Sequence, residues 1–369
     1  MLRRNFVLGT AALLATTPAL VACSSGASHQ DVARNLRRPV HVDTSNRALL
    51  LRELVRYSTL APSSHNTQCW KFHVQEASIT IEPDLLRRCP IVDPDDHHLF
   101  VSLGCATENL AHAALANGLQ ANVNFEATGA GAVSVSLDPT KALASPLFQA
   151  IAERQCTRGD YDAIPLSLVD LHALEQAGRG NGVRLVLLTE RSAMEKVLEY
   201  VVAGNTAQMA DPAFVVELKS WIRFSDSEAV RTGDGLFSGS SGNPAMPRWL
   251  GSHVMDLFFT PKSESARYAR QIRNSAGIAV FVSDTSDAAH WVEAGRCYER
   301  FALQATALGI RNAFLNQPVE VGSVRPQFAA ALGLGNLRPD LVVRFGRGPT
   351  LPLSMRRPLE SVLISFRST

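Results

Sequence analysis

The chain has 369 residues, a formal net charge of +2, 46% hydrophobic residues and 19% charged ones. Such a chain can bury a large core and fits two units of ordinary domain length, and so small a net charge gives no basic field that would call for nucleic acid. Its six cysteines (Cys23, Cys69, Cys89, Cys105, Cys156, Cys297) show neither a CxxC pair nor a zinc spacing, so neither a disulfide framework nor a structural zinc site is expected.

Met1–Cys23 reads as a targeting segment, with Arg3 and Arg4 ahead of an apolar run that ends at Ala22 and is short for a membrane span. Arg3-Arg4-Asn5-Phe6-Val7-Leu8 resembles a twin-arginine export signal. Leu20-Val21-Ala22-Cys23 resembles a lipobox, in which Cys23 is lipidated and becomes the mature N-terminus. A general secretory signal with a coincidental cysteine is the plainer alternative. Residues 24–46 are polar, with a small basic cluster (Arg34, Arg37, Arg38), and read as a tether. Together these predict export and a lipid anchor on an extracytoplasmic, for instance periplasmic, membrane face.

Ala48–Leu60 has the pattern of an amphipathic helix, stopped by Ala61-Pro62. The loop Pro62-Ser63-Ser64-His65-Asn66-Thr67-Gln68-Cys69-Trp70 is rich in donors and acceptors; by residue type alone it is a polar turn anchored by Trp70. Strands are predicted at 71–74 and 78–81. Asp93, Asp95, Asp96, His97 and His98 invite a metal reading, but adjacent histidines turn to one ion with difficulty, and capping of the next helix is the preferred role. Strands at 122–127 and 133–137 follow, with residues 128–146 as a join.

Beyond it, a helix over 148–153 leads to Arg154, Thr157 and Arg158, two arginines around a hydroxyl residue, a set that suits an anion. A solvated basic turn is the alternative. A helix over 166–177, a strand over 183–188 and helices over 191–209 and 214–223 come next. Gly233–Ser252 breaks every periodicity and carries Phe237, Met246 and Trp249, so a long loop with apolar plugs is predicted, part of a lid over about 225–262. A buried strand over 277–283, a long helix over 291–310 and strands at 311–315 and 341–345 complete the pattern, ahead of Arg356-Arg357-Pro358.

The long helix occurs twice. An offset of 191 residues lays Phe100–Leu119 over Trp291–Ile310 with seven identities in twenty: Val101/Val292, Gly104/Gly295, Glu108/Glu299, Ala111/Ala302, Ala114/Ala305, Ala116/Ala307 and Gly118/Gly309. The expectation is an α+β chain of two fused units, 47–146 and 147–369, forming an intrachain pseudo-dimer around two central helices. No Walker loop, GxGxxG fingerprint or Ser/His/Asp order is visible.

The 61–70 loop resembles the APSSxNxQPW motif of the FMN-dependent nitroreductase family, with Cys69 where that motif has proline, and the Gly-x-x-x-Glu-Asn of the first long helix is similar to that family's interface helix. The likeness runs over essentially the whole mature chain and is greatest to the fused, Acg-like branch. It implies a nitroreductase-like fold and one FMN per chain. The cofactor would be held by Ser63, Ser64, His65, Asn66 and Gln68 from one unit and by Arg154, Thr157, Arg158, Asn316, Gln317, Arg356 and Arg357 from the other. The hydroxyl of Thr157 is displaced by one place from the family's Arg-x-Ser-x-Arg. The implied activity passes hydride or electrons through the flavin to a small nitroaromatic or quinone-like acceptor, with a small-molecule donor and no resident metal. The alternative is a lid-closed protein that stores FMN without turnover. Duplication within the chain implies a monomer.

Overall fold

The computed structural model of the chain describes residues 28–40 and 46–364; the targeting segment with Cys23 lies outside them. Up to residue 140 the order is α1 (His29–Leu36), α2 (Arg47–Ser58), β1 (Trp70–Val74), β2 (Ser78–Pro83), α3 (His97–Ala116), β3 (Leu119–Glu126) and β4 (Ala132–Pro139). Then come α4 (Pro146–Ala150), α5 (Leu168–Ala177), β5 (Val183–Leu188), α6 (Arg191–Ala210), α7 (Pro212–Trp221), β6 (Ile222–Arg223), α8 (Asp226–Thr232) and β7 (Leu236–Phe237). The chain closes with α9 (Arg248–Phe258), α10 (Pro261–Arg273), β8 (Gly277–Ser283), α11 (Ala288–Ala307), β9 (Arg311–Phe314), α12 (Gln317–Glu320), α13 (Arg325–Ala331) and β10 (Pro339–Gly346). The fold is α+β, with antiparallel pairing throughout its two four-stranded sheets.

The two sheets share one plan. The first has the order β1-β2-β4-β3 and the second β5-β8-β10-β9. In each, a 20-residue helix connects the second strand to the fourth, α3 in one and α11 in the other. These helices pack directly on each other, and their closest approach is reciprocal. A Cβ at Gly104 would lie 1.9 Å from the Val292 carbonyl oxygen, and one at Gly295 would lie 2.0 Å from that of Val101. Both pairs are exchanged by the 191-residue offset, as an isologous contact requires. By length and composition α3 would suit a membrane span, but 72% of its apolar window is buried in this core.

Burial explains the strand patterns. β8 and β10 are buried along their whole length. Ala279, Phe281, Leu341 and Val343 face the core that holds α11, while Ile278, Val280 and Val342 pack with Met194, Val197 and Phe328 of α6 and α13. A strand covered on both faces reads as a continuous apolar run. β3 has only one covered face and alternates instead.

Three expectations need revision. The stretch assigned to the tether contains α1, whose Ala33 packs with Ala229, Phe237 and Met355. The region around the lid is not one structureless loop: α9 begins at Arg248, and its stripe of Gly251, Val254, Met255 and Phe258 follows helical spacing. Phe237 is buried beside α1 rather than plugging anything, and Trp249 is 68% exposed.

Candidate functional site

The loop after α2 is the most constrained stretch of backbone. His65, Asn66 and Gln68 have φ of 47°, 53° and 54°, a left-handed conformation that non-glycine residues adopt at a cost of roughly 1 kcal/mol or more each. The surroundings impose it. Asn66 N–H donates to Ser63 O (2.9 Å) and Gln68 N–H to Ser63 Oγ (2.9 Å). Asn66 Nδ2 donates to Gly235 O (3.0 Å) and Met355 O (3.3 Å), and Gln68 Nε2 to Gly233 O (2.9 Å). Gln68 Oε1 accepts from the Arg357 N–H at 2.8 Å.

Arg356 completes this frame. Its guanidinium donates to Thr59 O (2.6 Å), Leu60 O (2.7 Å), Ala61 O (3.0 Å) and Asn66 Oδ1 (3.2 Å), satisfying the carbonyls left over where α2 ends. Arg154 is buried beside it, donating to Leu60 O (3.0 Å) with Nε 3.1 Å from Glu299 Oε1. Asn66, Gln68, Arg154, Arg356 and Arg357 therefore hold the loop from behind. Thr157 is fully buried too. Its N–H donates to Asn312 O at 2.8 Å, its carbonyl accepts from Tyr161 OH at 2.8 Å, and its Oγ1 has no partner.

The front of the loop opens on a cavity of about 490 Å³, within the usual range for small-molecule and cofactor sites. Ser63, Ser64 and His65 form one wall. The floor is the α3 stripe His98, Val101, Ser102 and Cys105, and the far wall carries Arg158, Asn316, Gln317 and Arg344. Gly204 lets α6 approach the backbone of Gln317, where a Cβ would meet Gln317 O at 2.6 Å. The roof is apolar: Phe214 and Leu218 of α7, Met246, and Val254, Met255 and Phe258 of α9. Of the twelve residues proposed from sequence as cofactor-binding, six line the cavity: Ser63, Ser64, His65, Arg158, Asn316 and Gln317.

Arg344 was not singled out in the sequence, although a charged residue inside Leu341–Phe345 was the available signal. It is 1% exposed, stacks over Tyr161 at 4.1 Å, donates to Gly159 O at 2.7 Å, and leaves Nη1 without a partner. Gln317 Oε1 is also buried and unpartnered, while Asn316 Oδ1 is already used by the Val342 N–H (3.0 Å). Among the described residues the Arg158 guanidinium makes no hydrogen bond or ion pair, and Gln271 Nε2 fixes its carbonyl at 2.5 Å. One end of the cavity thus offers unpaired cationic donors, the ordinary requirement for a phosphate or carboxylate.

Burial, then the nearby Arg158 and His98, pushes His65 down to about 4, so it is a neutral imidazole at neutral pH. Burial raises Glu320 and Glu264, both on the cavity wall. One ligand atom each from Asp93, His97 and His98 lies within 4.8 Å of the others. These groups have other partners: Asp93 accepts from the N–H groups of His98 (3.0 Å) and Leu99 (2.9 Å), capping α3. His97 Nε2 meets Asp340 Oδ1 at 3.0 Å, and His98 Nε2 meets Asp340 O at 3.3 Å.

These features define a class: an α+β protein with a partly open cavity, lined from both sheet-and-helix halves and carrying unpaired cationic donors at one end. No family model matches the chain. Over 330 residues, 85% of this chain, it is 26% identical to two Mycobacterium tuberculosis proteins provisionally named NAD(P)H nitroreductases, MT3217 and Rv3131, and covers 90% of each. Solved structures with partial likeness include an FMN-bound nitroreductase from Desulfitobacterium hafniense (16% identity, TM-score 0.38, 61% of this chain and 99% of that one). Another is the FMN-dependent nitroreductase NfnB from Mycobacterium smegmatis with NADPH (12%, 0.40, 60% and 98%).

Proposed function

We propose that this chain is an FMN-dependent oxidoreductase of nitroreductase type, acting on a small nitroaromatic or quinone-like acceptor with a small-molecule electron donor such as NAD(P)H. The observation that carries it is the cavity itself, lined jointly by the Ser63–His65 loop and by Arg158, Asn316, Gln317 and Arg344. The likeness over 85% of the chain to the nitroreductase-named relatives supports the same reading.

The residues present suit that cofactor. The unpaired Arg158 and the orphaned Nη1 of Arg344 provide donors for a phosphate, and the free Oε1 of Gln317 provides an acceptor for a ring N–H. Bound FMN would supply hydride transfer at its ring, so no protein nucleophile is required. Ser63 and Ser64 would contact the cofactor from a backbone that Arg356, Asn66 and Gln68 hold in place. His65, kept neutral, adds no charge to the cavity wall, and the apolar side chains of α7 and α9 would limit water around a bound cofactor.

We take the chain to be two fused homologous units, 47–146 and 147–369, hence a monomer with one FMN. The shared strand order and the reciprocal Gly104 and Gly295 contacts support this. At the mirror position of the cavity floor, the 191-residue offset replaces Ser102 and Cys105 by Glu293 and Arg296. There Arg296 and Arg300 both pair with Glu108 at 3.0 Å and with Glu293, filling the place with the protein's own charges. Export by the twin-arginine route and lipidation at Cys23 complete the reading, since that route carries folded, cofactor-loaded proteins.

The test is a visible spectrum of purified protein followed by anaerobic NADPH. A flavin spectrum at one equivalent per chain that bleaches and returns with a nitroaromatic is the expected result. A colourless protein that FMN does not reconstitute would overturn the proposal. The apolar roof of Met246, Val254, Met255 and Phe258 favours one second reading, a flavin store, for which dithionite but not NADPH would bleach the cofactor.

A further inference from the structure

The helix α9 is apolar on two sides. Toward the protein, Gly251 sits on Phe224, and Val254 and Met255 line the cavity. Toward solvent, Trp249 and Leu257 are 68% and 72% exposed with Leu250 at 39% beside them, and Phe258, at the rim of the cavity, is 69% exposed. The Lys219–Asp256 ion pair (2.7 Å) ties α7 to α9. Arg248, Ser252, His253 and Asp256 make α9 amphipathic, yet its exposed Trp249, Leu250 and Leu257 are covered by nothing among the described residues, as at a contact with an apolar medium.

The route of the chain indicates what covers it. Only residues 24–27 separate Cys23 from the first described residue, Ser28. Five Cα steps reach at most about 18 Å. From Ser28 the chain enters α1, which packs on α8 and stacks His29 on Phe237 at 4.4 Å between ring centres. α8 also holds the start of α9 through the Glu228–Arg248 ion pair (2.6 Å). A single short helix therefore lies between the point where a tethered chain would leave a bilayer and the row Trp249, Leu250, Leu257, Phe258. Tryptophan with aliphatic neighbours is what an interfacial helix presents to the headgroup boundary.

We propose that α9 rests on a lipid bilayer, making the roof of the cavity the membrane-facing wall of the protein. This rests on the reading of Cys23 as the anchor, which is tested separately by the mass of the mature protein.

The experiment uses the full chain on phosphatidylcholine–phosphatidylglycerol vesicles whose acyl chains are brominated close to the headgroup. Bromine quenches tryptophan only on contact, and of the other tryptophans Trp70 is fully buried while Trp221 and Trp291 are largely enclosed. The expected result is quenching that disappears in Trp249→Phe and falls at least twofold in Leu257→Ser. Equal quenching with and without Trp249, or none, overturns the proposal. If the mature protein carries no lipid, flotation of the Cys23→Ala chain with vesicles decides: flotation abolished by Trp249→Ser upholds docking, and its absence overturns it. A Cys23→Ala chain that sediments as a dimer, and as a monomer once Trp249→Ser is added, shows that a second copy covers the face and overturns the lipid assignment.

Discussion

Replacing Gly104 by alanine tests the central contact directly. In an ordinary exposed helix position this change stabilises by about 1 kcal/mol, because glycine loses more backbone entropy on folding. Here the added Cβ would stand 1.9 Å from Val292 O and 2.8 Å from its carbon, both backbone atoms that cannot turn aside. Restoring an ordinary carbon–oxygen separation of about 3.3 Å moves one helix against the other by on the order of 1 Å. Overpacking of this kind costs roughly 3 kcal/mol or more when no side chain can yield. After the propensity gain, a net loss of about 2 kcal/mol remains, which lowers the melting temperature by roughly 3 °C in a chain of this size. Calorimetric melting of wild type, Gly104→Ala, Gly295→Ala and the double variant measures it. The two single variants should lose the same amount, because the second contact is 2.0 Å, and the double should lose less than their sum, because either alone parts the helices. A single variant as stable as wild type, or more stable, would refute the reasoning.

Arg158→Gln should weaken FMN binding about 10- to 100-fold in a fluorescence titration, the value of a charge-assisted phosphate contact, while leaving the melting temperature of the apoprotein unchanged. Arg356→Met should do the reverse, unfolding about 3 kcal/mol more easily in urea because four carbonyl and amide oxygens lose their buried donor. The equivalent carboxylates Glu108 and Glu299 predict a pH profile. Burial opposes ionisation of Glu108, but His112, Arg300 and Arg296 together outweigh it and bring its pKa to about 2, so its contribution of roughly 3 kcal/mol is present above pH 4.5 and lost as pH falls toward 2. Burial pushes Glu299 to about 7, only partly offset by Arg154 and Arg356, so the stability of its protonated form is present below pH 4.5 and lost as pH rises to 7. His65, held at about 4, contributes an opposing rise between about pH 4 and 6.5, so the test is a difference: denaturant midpoints of the wild type should fall relative to those of Glu299→Gln from pH 5 to 7, and a difference that stays constant contradicts the assignment.

The sequence made some parts of this architecture legible and hid others for physical reasons. Gly277–Ser283 and Val183–Leu188 are strands over the residues expected, because runs of β-branched and aliphatic residues bounded by turns admit little else. The duplicated helix was visible because its glycines recur at one offset. The start of α9 was masked by the glycines and prolines ahead of it, which broke the periodicity just where the helical stripe begins. Docking of α1 could not be read at all, since Ala33 and Arg37 owe their burial to Met355 and Ser354, more than 300 positions away. The same holds for the roles of Arg154 and Arg356. Spacing marked Arg154, and the family resemblance Arg356, as arginines near an anion, but only the fold shows them bound to carbonyl oxygens behind the loop, leaving Arg158 and Arg344 to face the cavity.

The reciprocal helix contact has a consequence for how this molecule can change. In a dimer of identical chains every substitution appears at both symmetry-related places, so a residue that improves one cleft alters its twin as well. Here Ser102 and Cys105 line a cavity while Glu293 and Arg296, one offset away, close the opposite side with charges, and neither choice constrains the other. The halves also cannot part on dilution. Each variant therefore reports on one side alone.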